Sequence, residues 1–125
     1  IQETGSREYV FEKVIKYGQW WGNENNIMYV VGAMMAYKLQ QIRHLAPNNF
    51  LLVPGIGEQG GSLKDVCDFG LNSNYGLIIN SSRSIIYADS TEKFADRARE
   101  EAKKIQSQMD TLLTDFENDQ KRKFK

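Results

Sequence analysis

A glycine-rich segment separates an apolar run from a predicted helix, in a pattern that suits anion binding. Residues 50–53 are apolar and of strand length, residues 54–61 contain four glycines and a proline, and a helix is predicted from about Ser62. Glycines let the backbone approach a ligand closely, and the N–H groups at a helix start point toward it. Such turns also occur without any ligand, so a phosphate site is one interpretation of this segment.

A second predicted strand end carries residue types that bind phosphate. The residues at 76–80 lead into Ser81, Ser82 and Arg83. Arginine can clamp a phosphate through two parallel hydrogen bonds. An exposed arginine is often no more than a solvated charge, but two such strand ends in one βαβαβ run favour a phosphate site between them.

Apolar spacing predicts the elements that would position these loops. Strands are predicted near 27–31, 50–53 and 77–80, the first of them covered on both faces. The predicted helices are one from about Arg7 to Trp21, short ones around 35–42 and 62–69, and a long final one capped by residues 89–91, with an extra turn at 85–87. The first helix is predicted to bury one apolar face made of Val10, Phe11, Val14 and Ile15, with Trp20 and Trp21 at its end. The final helix has a predicted core-facing stripe of Phe94, Ala98, Ala102, Ile105, Met109, Leu112 and Phe116. The order α-β-α-β-α-β-α predicts an α/β fold of parallel strands with helical crossovers, whose ligands bind at the carboxyl ends of the strands.

Composition argues against several classes of function. The 125 residues predict one domain, and the 16 basic and 16 acidic residues cancel. No overall field would therefore draw the chain to nucleic acid or to an anionic membrane, and any anion site must be local. No signal peptide or membrane-length apolar run is recognised, and the first residue, Ile1, indicates processing or a cut from something longer. The single Cys67 is expected to be an inert, buried thiol, which fits a reducing, cytoplasmic location.

Three stretches at the predicted strand ends resemble orotidine 5′-phosphate decarboxylases, in particular the bacterial group with longer chains. They are residues 30–33 (Val-Val-Gly-Ala), 52–61 and 79–88, and the similarity runs from about Tyr9 to Met109. The resemblance implies that residues 1–125 form a single partial-barrel domain, the C-terminal portion of a (β/α)₈ TIM barrel from helix five to helix eight with strands six to eight. Its charged end, residues 117–125, is expected to fray. In such barrels a phosphate site commonly lies in the loops after strands seven and eight.

The resemblance also implies roles for individual residues. Gln59 would reach both the phosphate and the pyrimidine edge, and Arg83 would clamp the phosphate. The remaining pocket positions are Gly60, Gly61 and Ser82 beside the phosphate, with Pro54 and Ile56 as an apolar wall near the base. The family makes UMP from orotidine 5′-monophosphate without a metal or cofactor, so the expected ligands are these nucleotides or phosphate and no cofactor is expected.

Catalytic residues are not expected in this chain. The family places its lysine and carboxylates in an Asp-x-Lys-x-x-Asp motif on earlier strands, and the sequence lacks that motif. The chain also departs from the family pattern at Met34, Met35, Tyr37 and Glu58, the last of which is expected to point outward. These changes represent either lineage drift or apolar cover for barrel faces that a missing half would leave open.

Two functions follow from this reasoning. The chain is either the phosphate-binding C-terminal half of a decarboxylase, inactive by itself, or a natural or engineered half-barrel scaffold that self-associates and has no catalytic role. The expected protein partner is a second copy in a dimer or the missing N-terminal half-barrel, and neither nucleic acid nor a membrane is expected.

Overall fold

The structure, a computed structural model, describes residues 7–57 and 62–124. Within these ranges the helices are α1 (Val10–Trp21), α2 (Lys38–Leu45), α3 (Leu63–Gly70), α4 (Arg83–Ile86) and α5 (Phe94–Lys123). The strands are β1 (Tyr29–Val30), β2 (Leu51–Val53) and β3 (Leu77–Ile79), and a 3₁₀ turn at Ala33–Met35 follows β1. None of the helices in the described ranges is both long and apolar enough to cross a membrane.

The three strands form one parallel sheet in the order β1-β2-β3. Tyr29 pairs with Leu51, and Leu51 pairs with Leu77. The predicted parallel α/β arrangement with helical crossovers is therefore confirmed. The strands are shorter than predicted, and β1, which lies at one edge of the sheet that the described residues form, has two paired residues.

The core lies between the sheet and the helices α2 and α3. The side chains of Leu39, Leu51, Val53 and Val66 are fully buried there. Helix α3 begins at Leu63 after a cap in which Ser62 Oγ accepts a hydrogen bond from the Asp65 N–H at 3.2 Å. The helix predicted from about Ser62 is thus confirmed, because a serine cap supplies one of the acceptors that a helix start needs.

Two expectations about burial are wrong. Strand β1 is not covered on both faces, because Val30 is 71% exposed while Tyr29 packs against the core. Helix α1 begins at Val10 rather than near Arg7 and buries Ile15, but Trp20 and Trp21 at its end are exposed. Part of the apolar surface of β1 and of α1 is therefore not covered by the described part of the chain.

Helix α5 packs on the core by only part of its predicted stripe. Ile105, Met109 and Leu112 contact the core, whereas Phe94 is exposed and no residue of the helix is fully buried. The residues 89–91, expected to cap α5, lie before its N-cap residue, Lys93, and the Asp89 side chain accepts a hydrogen bond from the Thr91 N–H at 3.2 Å instead. The helix continues to residue 123, so most of the stretch expected to fray is helical, and its opening in solution stays a prediction.

A polar network joins α1 to the amino ends of the strands. Asn49 is 2% exposed, and its Nδ2 donates to the Ile27 carbonyl at 2.9 Å. Its Oδ1 accepts from Gln19 Nε2 at 2.8 Å, which also donates to the Tyr29 hydroxyl at 3.0 Å. That hydroxyl in turn donates to the Ile15 carbonyl at 3.2 Å. The network fixes α1 and β1 to the segment that leads into β2.

Candidate functional site

The loop after β2 makes a sharp turn that requires glycine. Gly55 and Gly57 both have φ of +86°, a left-handed conformation that glycine adopts without a steric penalty. Ile56 between them is buried, and the carbonyl of the half-buried Pro54 accepts a hydrogen bond from the Ala33 N–H at 3.3 Å. The two predicted wall residues, Pro54 and Ile56, therefore lie at the carboxyl edge of the sheet and are held in place.

The loop after β3 leaves the sheet beside the loop after β2. The Asn80 N–H donates to the Val53 carbonyl at 3.1 Å and so joins the two strand ends. Asn80 Nδ2 then donates to Ser82 Oγ at 3.3 Å. Ser82 and Arg83 are exposed directly after this point. Ser82 and Arg83 thus stand at the same edge of the sheet as Pro54, as parallel register requires.

The residues expected to complete the site fall outside the described part of the chain. These are Gln59, Gly60 and Gly61, together with the neighbouring Glu58. Their predicted contact with a phosphate held by Arg83 stays a prediction. The structure does describe both ends of this segment, at Gly57 after β2 and at Ser62 before α3, so the segment joins a strand end to a helix start.

Cys67 is a buried thiol that takes no part in the candidate site. Burial raises its pKa to about 11, because the charged thiolate would lose its hydration. Its Sγ contacts Met109 Sδ at 3.6 Å in the interface between α3 and α5. The expectation of a buried thiol is confirmed, and a raised pKa argues against a nucleophilic role.

Sequence reasoning missed Arg43, which bonds to four main-chain carbonyls at the amino edge of the sheet. Burial lowers its pKa to about 10. The residue lies at the opposite end of the strands from the candidate site. In TIM barrels the residues at that end contribute to stability, whereas the active site lies at the carboxyl ends of the strands. No local pattern in the sequence separates it from an exposed arginine, because its acceptors come from distant segments.

An apolar groove of about 560 Å³ runs along β1 rather than at the strand-end loops. Its walls include Phe11 and Val14 of α1, Val30 of β1 and Met35 after it. Lys38 also lines the groove, with its Nζ 5.1 Å from the centroid of the Tyr9 ring. The groove is thus apolar, and Lys38 is the one cation among the described residues that line it.

Comparisons with known proteins give a consistent result. No protein-family model matches the chain. The orotidine 5′-phosphate decarboxylase of Phocaeicola vulgatus is 54% identical over 113 residues, which make up 90% of this chain and 42% of that protein. Among solved structures, Leishmania donovani UMP synthase matches with a TM-score of 0.67 and 35% identity over 85% of this chain and 23% of its own. Leishmania donovani OMP decarboxylase matches with a TM-score of 0.63 and 30% identity over 86% of this chain and 40% of its own.

The extent of these matches shows which part of the relatives this chain corresponds to. The chain spans about 40% of the length of the curated relatives that it matches, and it corresponds to their C-terminal part. The parallel three-stranded sheet with helical crossovers is the arrangement expected for a section of a TIM barrel. This chain therefore matches the C-terminal part of orotidine 5′-phosphate decarboxylases in sequence, and its three parallel strands match a section of their TIM barrel in fold.

Proposed function

We propose that this chain is the phosphate-binding C-terminal portion of a decarboxylase that converts orotidine 5′-monophosphate to UMP and CO₂ in pyrimidine biosynthesis. The observation that carries the proposal is the hydrogen bond from the Asn80 N–H to the Val53 carbonyl, at 3.1 Å. It holds the loops after β2 and β3 side by side, with Arg83 exposed at their edge. The 54% identity to a bacterial decarboxylase supports the assignment of these loops to a nucleotide phosphate.

The proposed site grips the phosphate from two sides. The guanidinium of Arg83 would form parallel hydrogen bonds to two phosphate oxygens. Ser82 and the backbone of Gly60 and Gly61 would bind the remaining oxygens, and Gln59 would span the phosphate and the pyrimidine edge. Pro54 and Ile56 would cover the apolar side of the base.

The chain by itself would hold the phosphate without catalysing the reaction. Decarboxylation leaves a carbanion at the pyrimidine, and its rate depends on fixed charges that stabilise that carbanion where it develops. Binding energy at a remote phosphate can be used at the reacting centre only if those charges are present. The Asp-x-Lys-x-x-Asp motif that supplies them in the family is absent from these 125 residues. The catalytic lysine and carboxylates would come from the N-terminal portion of the barrel, and no metal or cofactor is required.

The proposal is tested by complementation. The purified chain is incubated with orotidine 5′-monophosphate, alone and with the N-terminal portion of the Phocaeicola vulgatus decarboxylase, while loss of ultraviolet absorbance is followed. We expect no turnover by either part alone and turnover by the mixture, with the full-length relative as the positive control. Turnover by the chain alone would show that the catalytic lysine has been misplaced. A mixture that associates but remains inactive would count against the proposed role.

The phosphate site is tested by substitution of Arg83. Loss of a charged hydrogen bond should weaken phosphate or UMP binding by about 1.5–3 kcal/mol, or roughly 10- to 150-fold. Arg99→Ala is a matched control, since Arg99 is an exposed arginine on α5. Titration calorimetry should show weakened binding for Arg83→Ala and unchanged binding for Arg99→Ala. Equal affinities for Arg83→Ala and the unsubstituted chain would refute the site.

A self-associating half-barrel scaffold is the second candidate function. Val30 and Met35 are exposed beside the groove along β1, and Tyr37 is exposed near them. The side chain of Met34 lies outside what the structure describes. Exposed apolar clusters and unpaired strand edges usually mark an interface, here with a second copy or with the N-terminal portion of the barrel.

The scaffold candidate predicts association through this surface. Light scattering coupled to size-exclusion chromatography should detect a dimer or larger species. Replacing Met34 and Met35 with Gln and Tyr37 with Ser should shift the chain to a monomer or precipitate it. A clean monomer both before and after the substitutions would contradict the interface. A cytoplasmic location is part of both candidates and is checked by fractionation of the source cells.

A further inference from the structure

Arg43, in the last turn of α2, bonds to main-chain carbonyls from four segments of the chain. Its Nε donates to the Gly70 carbonyl at 2.5 Å, and its Nη2 donates to the Gly76 carbonyl at 2.7 Å. Its Nη1 donates to the Asn49 carbonyl at 2.5 Å and to the Ala46 carbonyl at 3.2 Å. The guanidinium therefore joins the end of α2, the segment that leads into β2, the end of α3 and the residue that precedes β3.

The Gly76 carbonyl is also the first rung between β2 and β3. It accepts a hydrogen bond from the Leu51 N–H at 2.9 Å in addition to the one from Arg43. The last rung, from the Asn80 N–H to the Val53 carbonyl, is at the other end of these three-residue strands. Gly76 and Asn80 are about 13 Å apart along the strand, at about 3.3 Å per residue.

Because β2 and β3 are short, a contact that fixes their register at one end also fixes it at the other end. A slip of one residue would turn every side chain of β3 to the opposite face. Three register pairs between β2 and β3 provide little redundancy against such a slip. A bond that fixes the first rung consequently fixes the position at which Asn80, Ser82 and Arg83 emerge.

The Arg43 guanidinium approaches the backbone at Gly76 so closely that a side chain there would collide with it. Gly76 has φ of +69°, and a Cβ placed on it would lie 2.5 Å from Arg43 Nη2 and 2.4 Å from Asn72 Nδ2. Any larger residue would displace one of these groups in addition to straining the backbone. The guanidinium is also partly removed from water at this contact, and this burial lowers the pKa of Arg43 to about 10.

We infer that Arg43 is a positioning residue of the phosphate site, which sets the register of β3 on β2 and so places Arg83 at the same edge of the sheet as Pro54. This inference rests on the proposed function for its ligand. It does not give Arg43 any contact with the phosphate, since the residue lies at the opposite edge of the sheet.

The test compares Arg43→Lys with the control Arg99→Lys in the full chain. Lysine keeps the charge, but a single ammonium group cannot reach acceptors that a planar guanidinium spans. Amide hydrogen exchange is followed by NMR at Asn80 and at Val31, whose N–H bonds to the Leu52 carbonyl at 2.9 Å and serves as the internal reference. Arg43→Lys should speed exchange at Asn80 about tenfold relative to Val31, whereas the control should leave the ratio unchanged.

Phosphate affinity supplies a second readout. Inorganic phosphate is titrated into the folded variants, and Arg43→Lys should weaken binding about tenfold although Arg83 is intact. Unchanged Asn80 exchange and unchanged affinity in a folded variant would show that Arg43 is only a local stabiliser and would overturn the inference. If Arg43→Lys does not fold, Gly76→Ala perturbs the same contact and is measured in its place. If the unsubstituted chain binds no phosphate, the proposed function fails, while the Asn80 exchange still decides whether Arg43 sets the register.

Discussion

Replacing Asn49 with alanine should cost a large share of the stability of this chain. Asn49 is buried, and its side chain makes one hydrogen bond to the Ile27 carbonyl and one to Gln19 Nε2. Alanine removes both bonds at once. It leaves the Ile27 carbonyl without this donor, and it leaves Gln19 Nε2 with its bond to the Tyr29 hydroxyl alone, at the junction of α1, β1 and β2.

The magnitude follows from the number of bonds and the surroundings of the partners. Each net hydrogen bond contributes about 0.5–1.5 kcal/mol, so two contribute about 1–3 kcal/mol. Ile27 and Gln19 are both half-buried, which lets water replace part of what is lost. We therefore expect a decrease of about 2 kcal/mol in the free energy of unfolding, against a total of about 5–15 kcal/mol for a typical domain. The corresponding fall in Tm is roughly 5–10 °C.

Chemical denaturation of Asn49→Ala and of a neighbouring control provides the assay. Asn48 precedes Asn49 in the chain and is exposed, so Asn48→Ala should change the free energy of unfolding by less than about 0.5 kcal/mol. A double-mutant cycle with Gln19→Ala should give a coupling of at least about 0.5 kcal/mol if the two side chains interact as described. An Asn49→Ala variant as stable as Asn48→Ala would refute the role assigned to the network.

Two further predictions concern the core. Because burial raises the pKa of Cys67 to about 11, the unfolded chain loses the thiol proton first as the pH rises. The free energy of unfolding should consequently fall between about pH 9 and 11, by about 2 kcal/mol more than in Cys67→Ala. It is measured by chemical denaturation at each pH, and the same pH dependence in both proteins would contradict the prediction. Leu39 is 0% exposed at the centre of the core, and Leu39→Ala should lower the free energy of unfolding by about 2–5 kcal/mol. A loss below about 1 kcal/mol in urea denaturation would mean that the core does not close around this side chain.

Features that depend on local pattern could be predicted from the sequence. Alternating apolar runs and helical segments predicted the parallel strands, since a right-handed crossover is the ordinary way to join them. The glycines at 55 and 57 predicted a turn that only glycine makes easily, and Ser62 predicted the start of α3. Each of these signals lies within a few neighbouring residues, so its physical cause is present in the printed sequence.

The coverage of the apolar faces could not be predicted from the sequence, because it depends on contacts between distant elements. The spacing of Val14, Trp20 and Val30 predicts burial, but these side chains are exposed because no described element packs over them. Periodicity shows which residues share a face, whereas burial depends on the elements that lie opposite that face. For this reason the sequence predicted β1 as a strand yet gave the wrong environment for one of its faces.

The tertiary structure also decided which polar residues hold the sheet together. Arg43 bonds to carbonyls at positions 46, 49, 70 and 76, and Asn49 bonds to groups at positions 19 and 27. A main-chain carbonyl is present at every residue, so its partner has no sequence signature. Such contacts arise only when folding brings distant segments within hydrogen-bond distance.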